Sequence, residues 1–430
     1  MKAKTDLKHS AMQSIAGLCR KVEQDVITMR RALHQIPEAS FHEEKTRAAV
    51  SSYLKKAGIR FESRVGGLGV VGWIQGGGAR SKSSQARTVA LRTDMDALNL
   101  VEQTGLPFAS RHRGFMHACG HDAHMAMVLG AGMVLKGLGK DLPGNVKLIF
   151  QPAEETPPGG ALGMIKAGVL TSPPVDAIIG VHVDPVVPSG KVAVNAGVIS
   201  AVADDFNITI TGRSGHGSSP HVTVDAIVVA AHFITALQTI VSRRVSALDN
   251  VVVTVGKIAG GERHNIIAGT VELEGTIRTK KESTRRKVTA MVKQVLDATC
   301  AAFGAQGEFE YVKGYPGVHC DEHFSQEVRA ACSEILGRSR VVRTAGFEMG
   351  GEDFAYYAEK VPGTIVSVGV GNKKQGKIHR LHHPKFDIDE AALKVGVCAL
   401  AYSAYHHLNR DTPHLKTGMD PIDRSPDEVG

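Results

Sequence analysis

The chain has 430 residues, 43% apolar and 22% charged, with a formal charge of +8, enough for roughly two or three domains with sizeable cores. The basic residues fall in small groups, Arg30-Arg31, Arg243-Arg244, and Lys280-Lys281 with Arg285-Arg286-Lys287, with acids between them; this reads as solvated helix faces and excludes a nucleic-acid stripe. No uninterrupted apolar run of about 18 residues occurs, so no membrane-spanning helix is expected.

The N-terminus lacks the pattern of a signal peptide. Six cysteines, Cys19, Cys119, Cys300, Cys320, Cys332 and Cys398, lie far apart with no CxxC. That spacing predicts free thiols and a reducing, cytoplasmic compartment.

In chain order, Ile15, Leu18, Val22, Val26, Met29 and Leu33 recur every three or four residues. They predict an amphipathic helix over 9–35, ended by Pro37. A second helix is expected from about Glu43 to Lys56, closed by Gly58. Then "GVVGWI" reads as a strand running into the Gly/Ser-rich loop "GGGARSKSSQAR", followed by "TVALRTDMDAL". Gly67, Gly69 and Gly72 match GxGxxG but run into a strand and a loop, not a helix, which argues against dinucleotide binding. "HMAMVLGAGMVLKGL" is helical, "NVKLIF" a strand, and "DAIIGVHV" a strand stopping at Asp184-Pro185. Strands alternating with helices predict an α/β domain with a mostly parallel central sheet flanked by helices.

The middle changes character. "DFNITITG", a long helix from about Val222 to Val245, "NVVVTVGKIAG", "GTVELEGTIRT", a helix from about Lys281 to Phe303, and "EFEYV" follow one another. Ala226 to Val241 is the most apolar stretch and reads as a buried helix. This βαββαβ order with half-polar strands predicts a smaller, ferredoxin-like α+β insert. The insert is placed at 199–317, leaving 1–198 and 318–430 as one discontinuous domain. The first style then resumes with "SQEVRAACSEIL", "TIVSVGV" and a helix from Asp389 to about His407, and the tail from Asn409 is polar.

Residues with reactive or ligating side chains cluster where the α/β strands end: Asp94 and Asp96, Cys119 and His121, Glu154 and Glu155, His182, and His382. Ligands of open α/β sheets bind at that rim. Each residue alone has a bland explanation as a cap or a solvated turn. Together they crowd carboxylates whose burial costs several kcal/mol unless they are paired or metal-bound. A divalent cation resolves the conflict.

The segments "LRTDMDAL", "HACGHDAHM", "FQPAEET", "GVHV", "GRSGHGSSPH", "GGERHNIIAGTVELEGTIRT", "GEDFAYYAEKVPG" and "LHHPKF" occur in the order of a known family. From about Met29 to His407 the chain resembles the M20 metallopeptidases. More narrowly, it is similar to their branch of N-acyl-amino-acid amidohydrolases, hippurate hydrolases and auxin-conjugate hydrolases. The resemblance implies two divalent metal ions (Mn, Zn, Co or Ni) held by Cys119, His121, Glu155, His182 and His382, with the adjacent His383 as the competing ligand. It makes Glu154 the general base. Asp96 is then a candidate to orient a ligand imidazole through its other nitrogen, and His117 and His124 are local polar support. The insert becomes a lid and dimerisation surface. His216 of the lid becomes an oxyanion donor, supplied in some members by the partner subunit, and Asn265 and Arg278 contact the substrate carboxylate.

The run Gly217-Ser218-Ser219 and the sequence Asn265-Ile266-Ile267-Ala268 depart from the branch pattern near the substrate. The implied function is cleavage of an N-acyl amino acid by a homo-oligomeric enzyme acting on small molecules, with no nucleic-acid or membrane partner. The alternatives are a carboxypeptidase or dipeptidase of the same fold, a cysteine hydrolase using Cys119, and a metal- or carboxylate-binding protein without activity.

Overall fold

A computed structural model describes residues 2–77, 86–344 and 346–410. Part of the Gly/Ser-rich loop, and the polar tail from residue 411, lie outside the described residues. The chain opens with α1 (Lys2–His34), α2 (Glu44–Lys56), β1 (Arg60–Val65), β2 (Gly69–Ile74) and β3 (Thr88–Asp94). It continues through α3 (His121–Gly137), β4 (Asn145–Gln151), α4 (Ala161–Lys166), β5 (Ala177–Pro188), β6 (Val192–Val194) and β7 (Gly197–Val198). The apolar stripe of α1 is buried as its spacing requires, with Ile15, Val26 and Leu33 fully enclosed.

The insert comprises β8 (Val202–Thr211), β9 (Gly215–His216), α5 (Ala226–Thr239), β10 (Val251–Gly260), β11 (Ile266–Ile267), β12 (Thr270–Thr279), α6 (Glu282–Phe303) and β13 (Gln306–Val312). The chain returns through β14 (His319–Cys320), α7 (Glu322–Leu336), β15 (Val341–Val342), α8 (Ala355–Ala358), β16 (Gly363–Gly371) and α9 (Ala391–Leu408).

The large sheet has the order β1-β2-β4-β3-β5-β16-β6-β15. It is parallel from β4 through β3 and β5 to β16, and between β6 and β15. The β1–β2, β2–β4 and β16–β6 pairs are antiparallel. The sheet is therefore mixed, with the expected parallel character confined mainly to its interior, where α3 and α9 cover one face and β3 and β4 are buried almost throughout. The strand expected to stop at Asp184-Pro185 runs on to Pro188, where its ladder with β16 becomes irregular between Gly369 and Gly371 and a missing proline N–H breaks little.

The second sheet, β10-β12-β8-β13, is antiparallel throughout and carries α5 and α6 around its own core of Phe206, Phe233, Leu237, Val292 and Leu296. The helix expected from Val222 begins only at Ala226, because Asp225 caps it by accepting from the Ile227 and Val228 N–H groups. It passes into a π-helical turn at Ile240–Arg244. By length and composition the stretch Ala226–Arg244 is apolar enough to cross a membrane, although His232, Thr235, Gln238 and Thr239 interrupt its apolar run. It is not the wholly buried helix expected: Val229, Phe233 and Leu237 pack inward while Ile227, Val228 and Val241 face out.

Candidate active site

The eight-residue segment 117–124 divides its labour between the site and its supports. Gly120 adopts φ 85°, and a Cβ there would lie 2.4 Å from Val183, so the chain turns sharply into α3 at a position only glycine fills. Cys119 and His121 are thereby aimed at the strand ends. Asp122 points the other way and binds α1, accepting from Arg30 Nε at 2.8 Å and pairing with His34 Nδ1 at 2.7 Å. His117 is buried with neither ring nitrogen partnered, and burial lowers its pKa to about 3.

Hydrogen bonds determine the tautomers. His124 Nε2 accepts from the Val183 N–H at 2.8 Å, so its Nδ1–H donates to Asp94 Oδ1 at 2.7 Å. Burial, only partly offset by Asp94, lowers its pKa to about 4, and both nitrogens are already committed. His121 Nδ1 lies 2.9 Å from the Asp96 carbonyl oxygen and His182 Nδ1 lies 2.8 Å from the Val183 carbonyl. A carbonyl only accepts, so both imidazoles carry the proton at Nδ1 and, when neutral, present the Nε2 lone pair.

Those lone pairs converge on other electron-rich atoms. His182 Nε2 is 3.6 Å from Cys119 Sγ, His121 Nε2 is 3.7 Å from Glu155 Oε1, and His382 Nε2 is 3.5 Å from the same oxygen. His121 Nε2 and Glu155 Oε1 are buried without hydrogen-bond partners. Potential ligand atoms of Cys119, His121 and His182, of Cys119, Glu155 and His382, and of His121, Glu154 and Glu155 form three overlapping sets, each within 4.8 Å. Lone pairs facing one another need a positive charge between them. Protons can serve: despite the cost of burial, Asp94, Asp96 and Glu155 raise the His121 pKa to about 10. Thiolate, imidazole and carboxylate equally suit a divalent transition metal.

His382, not His383, faces this cluster. It stands at φ 64°, an uncommon left-handed conformation for a non-glycine residue, with its N–H donating to Ala118 O at 2.9 Å. His383 stacks on His379 and accepts at Nδ1 from the Lys385 N–H. Asp96 orients His121 mainly through its main-chain carbonyl. Its Oδ2 accepts from the Glu155 N–H at 2.9 Å and from Ser40 Oγ at 2.7 Å.

Glu154 is buried beside these candidate ligands, and burial, with Glu352, Glu155, Asp353 and Asp96 nearby, raises its pKa well above the ordinary carboxylate range. The sequence reading assigned no role to Glu352, Asp353 or Arg92. Arg92 binds Asp353 at 2.7 Å, Asp94 at 3.1 Å and Glu352 at 3.1 Å. A buried arginine in the strand "TVALRTD" was the available clue, since such a charge requires acidic partners.

A cavity of about 780 Å³ opens from these groups toward the insert, lined by Cys119, Glu154, Glu155, His182, His382 and Arg278, among others. Arg278 donates to the Asp204 carbonyl at 2.9 Å and stands 3.7 Å from the Asp205 carboxylate. His216 and Asn265 do not line the cavity. His216 lies on β9 and Asn265 just before β11, both exposed, and Gly217 N–H donates to Asn265 O at 2.9 Å.

The sequence profile of peptidase family M20/M25/M40 matches residues 90–406. A thermostable carboxypeptidase of Saccharolobus solfataricus is 39% identical over 91% of this chain and 97% of its own. An N-acetyl-L-cysteine deacetylase of Bacillus subtilis is 40% identical over 86% of this chain and 85% of its own. Among solved structures, a dinuclear metal-binding M20-family peptidase of B. subtilis matches with a TM-score of 0.75 at 35% identity, over 90% of this chain and 99% of that one.

Proposed function

This chain belongs to peptidase family M20/M25/M40 and is a metal-dependent hydrolase of amide bonds, and from that premise we propose that it cleaves the amide of N-acyl amino acids with two divalent ions. The carrying observation is the convergence of the His121 and His182 Nε2 atoms on Glu155 and Cys119, with Glu154 alongside. Cys119, His121, Glu155, His182 and His382 would hold the ions. Bound there, the ions would polarise the scissile carbonyl and lower the pKa of a water. Glu154 takes the proton of the attacking water and passes it to the departing amine nitrogen. The deacetylase relative supports an acyl-amide substrate, and the carboxypeptidase relative supports a peptide as the second reading. Hippurate, N-acetylmethionine, an indole-acetyl amino acid and a dipeptide separate the two. The acyl amino acids are expected to exceed the dipeptide in kcat/KM by at least about tenfold, equivalent to about 1.4 kcal/mol of transition-state preference. The reverse order makes the enzyme a peptidase.

Arg278 binds the free carboxylate of the substrate, exchanging its contact with Asp205 for a two-pronged one. Losing a charge-assisted bond of about 1.5–3 kcal/mol predicts that Arg278→Ala raises KM by about 10- to 100-fold. KM for the corresponding substrate amide is expected to stay constant; an equal rise for acid and amide removes the clamp.

Residues 199–317 form a lid and dimerisation unit. His216 and Asn265 lie outside the cavity of their own chain, and a second copy supplies them. The outward Ile227 and Val228 of α5 and the edge strand β10 are the surface for that copy. Val228→Arg is expected to convert a dimer to a monomer by sedimentation and, through loss of the partner's oxyanion donor, to lower kcat by about 10²- to 10³-fold. A fully active monomer contradicts the shared site. Six free thiols support the cytoplasm as its location.

A further inference from the structure

The turn carrying Glu154 is held by three side chains from three distant parts of the chain. Ala153 N–H donates to Glu43 Oε1 at 2.7 Å, Glu155 N–H donates to Asp96 Oδ2 at 2.9 Å, and Glu154 O accepts from Tyr315 Oη at 2.7 Å. The turn needs such support, because Ala153 stands at φ 54°, a left-handed conformation costing on the order of 1 kcal/mol or more for a residue with a Cβ. Glu43 and Asp96 lie within the α/β domain. Tyr315 belongs to the linker by which the chain returns from the insert.

That linker is fixed to the outgoing segment and to the start of β8. Ala203 N–H donates to Tyr315 O at 3.0 Å, Ile199 N–H to Val318 O at 2.9 Å, and Gly314 N–H to Asp204 Oδ1 at 2.9 Å. Gly351 completes the seat: a Cβ there would lie 2.9 Å from Ala203 and 3.2 Å from the Tyr315 ring. The Tyr315 ring also meets Tyr356 edge-on, with centroids 6.3 Å apart. One buried phenol thus joins the root of the insert to the main chain of the residue assigned as general base.

We infer that Tyr315 is a positioning residue for Glu154, coupling the seating of the lid to the alignment of the base. The inference rests on the assignment of Glu154. Tyr315 acts on no reacting atom; its hydroxyl holds the Glu154 carbonyl, and with it the direction in which the side chain leaves the turn. Misplacing a catalytic group by about 1 Å can cost on the order of 100-fold in rate. One lost clamp of three is expected to cost less.

The test is Tyr315→Phe in the metal-loaded enzyme, alone and combined with Glu154→Gln. The phenylalanine keeps the ring and its contact with Tyr356. The single variant is expected to lower kcat by about 10- to 30-fold with KM within about twofold. Metal content should be unchanged and Tm lowered by no more than about 4 °C. In the Glu154→Gln background the same replacement is expected to change residual turnover by less than about twofold, because the group it positions is gone. Unchanged kcat in Tyr315→Phe, a loss confined to KM, a loss of metal, a larger fall in Tm, or full additivity in the double variant each overturns the coupling. Near wild-type turnover in Glu154→Gln alone instead removes the base assignment.

Discussion

Replacing Glu154 by glutamine is expected to lower kcat by about 10²- to 10⁴-fold, the range spanned by general acid–base catalysis. KM and metal content should remain near wild type. The amide keeps the shape and burial of the carboxylate but cannot take a proton from water or return one to an amine. The surroundings match that task. Burial first, then Glu352, Glu155, Asp353 and Asp96, raise its proton affinity, as a group that must later act as an acid requires. Arg92 limits the crowding by pairing with Asp94, Glu352 and Asp353. A second consequence concerns pH. The base works deprotonated, so kcat/KM should fall on the acid side as Glu154 takes up a proton. That limb should vanish from the residual activity of Glu154→Gln. Turnover within a few-fold of wild type would refute the base assignment and return attention to Cys119.

The clustering of the proposed ligands was legible because several of them sit in short contiguous motifs near strand ends, which a largely parallel sheet gathers at one rim. Cys119 and His121 are two residues apart, and Glu154 and Glu155 are neighbours. What holds them was not legible. Arg92 reaches Asp353 across 261 positions, Tyr315 reaches Glu154 across 161 and Glu43 reaches Ala153 across 110. No local period or spacing encodes such pairs. His382 against His383 was a choice between adjacent imidazoles, and the left-handed backbone at His382 makes the difference. The elements followed their periodicities closely, and the misjudged ends have local causes. Asp225 offered a cap that placed the start of α5 four residues later than expected, and the irregular β5–β16 ladder let a strand continue past Pro185. The outward apolar edge of α5 was not legible, because apolar composition alone cannot separate a helix buried all round from one with a second, exposed apolar face.

Removing divalent ions is expected to abolish turnover, by at least about 10³-fold, since the several kcal/mol a metal contributes to transition-state charge each correspond to roughly tenfold per 1.4 kcal/mol. One added ion species should restore it. The alternative of a cysteine nucleophile predicts the opposite, and the structure weighs against it. Burial, reinforced by Glu155, Glu154 and Asp94, pushes the Cys119 thiol well above its ordinary pKa, so the metal-free protein holds a thiol and not the reactive thiolate. His182 offers Cys119 a lone pair from 3.6 Å, but at that site it stands among carboxylates that disfavour a second negative charge. A cation reverses this balance, because it lowers the cost of the thiolate and of Glu155 together. In the metal-free protein the proton is the competitor. With a pKa raised to about 10, His121 is protonated near neutrality, and its Nε2–H must leave before that nitrogen can bind a metal. Metal affinity measured by competition with a chelator should therefore weaken as pH falls across the neutral range, with proton release on binding. Activity that survives verified stripping, or an affinity indifferent to pH, is incompatible with a metal held by His121.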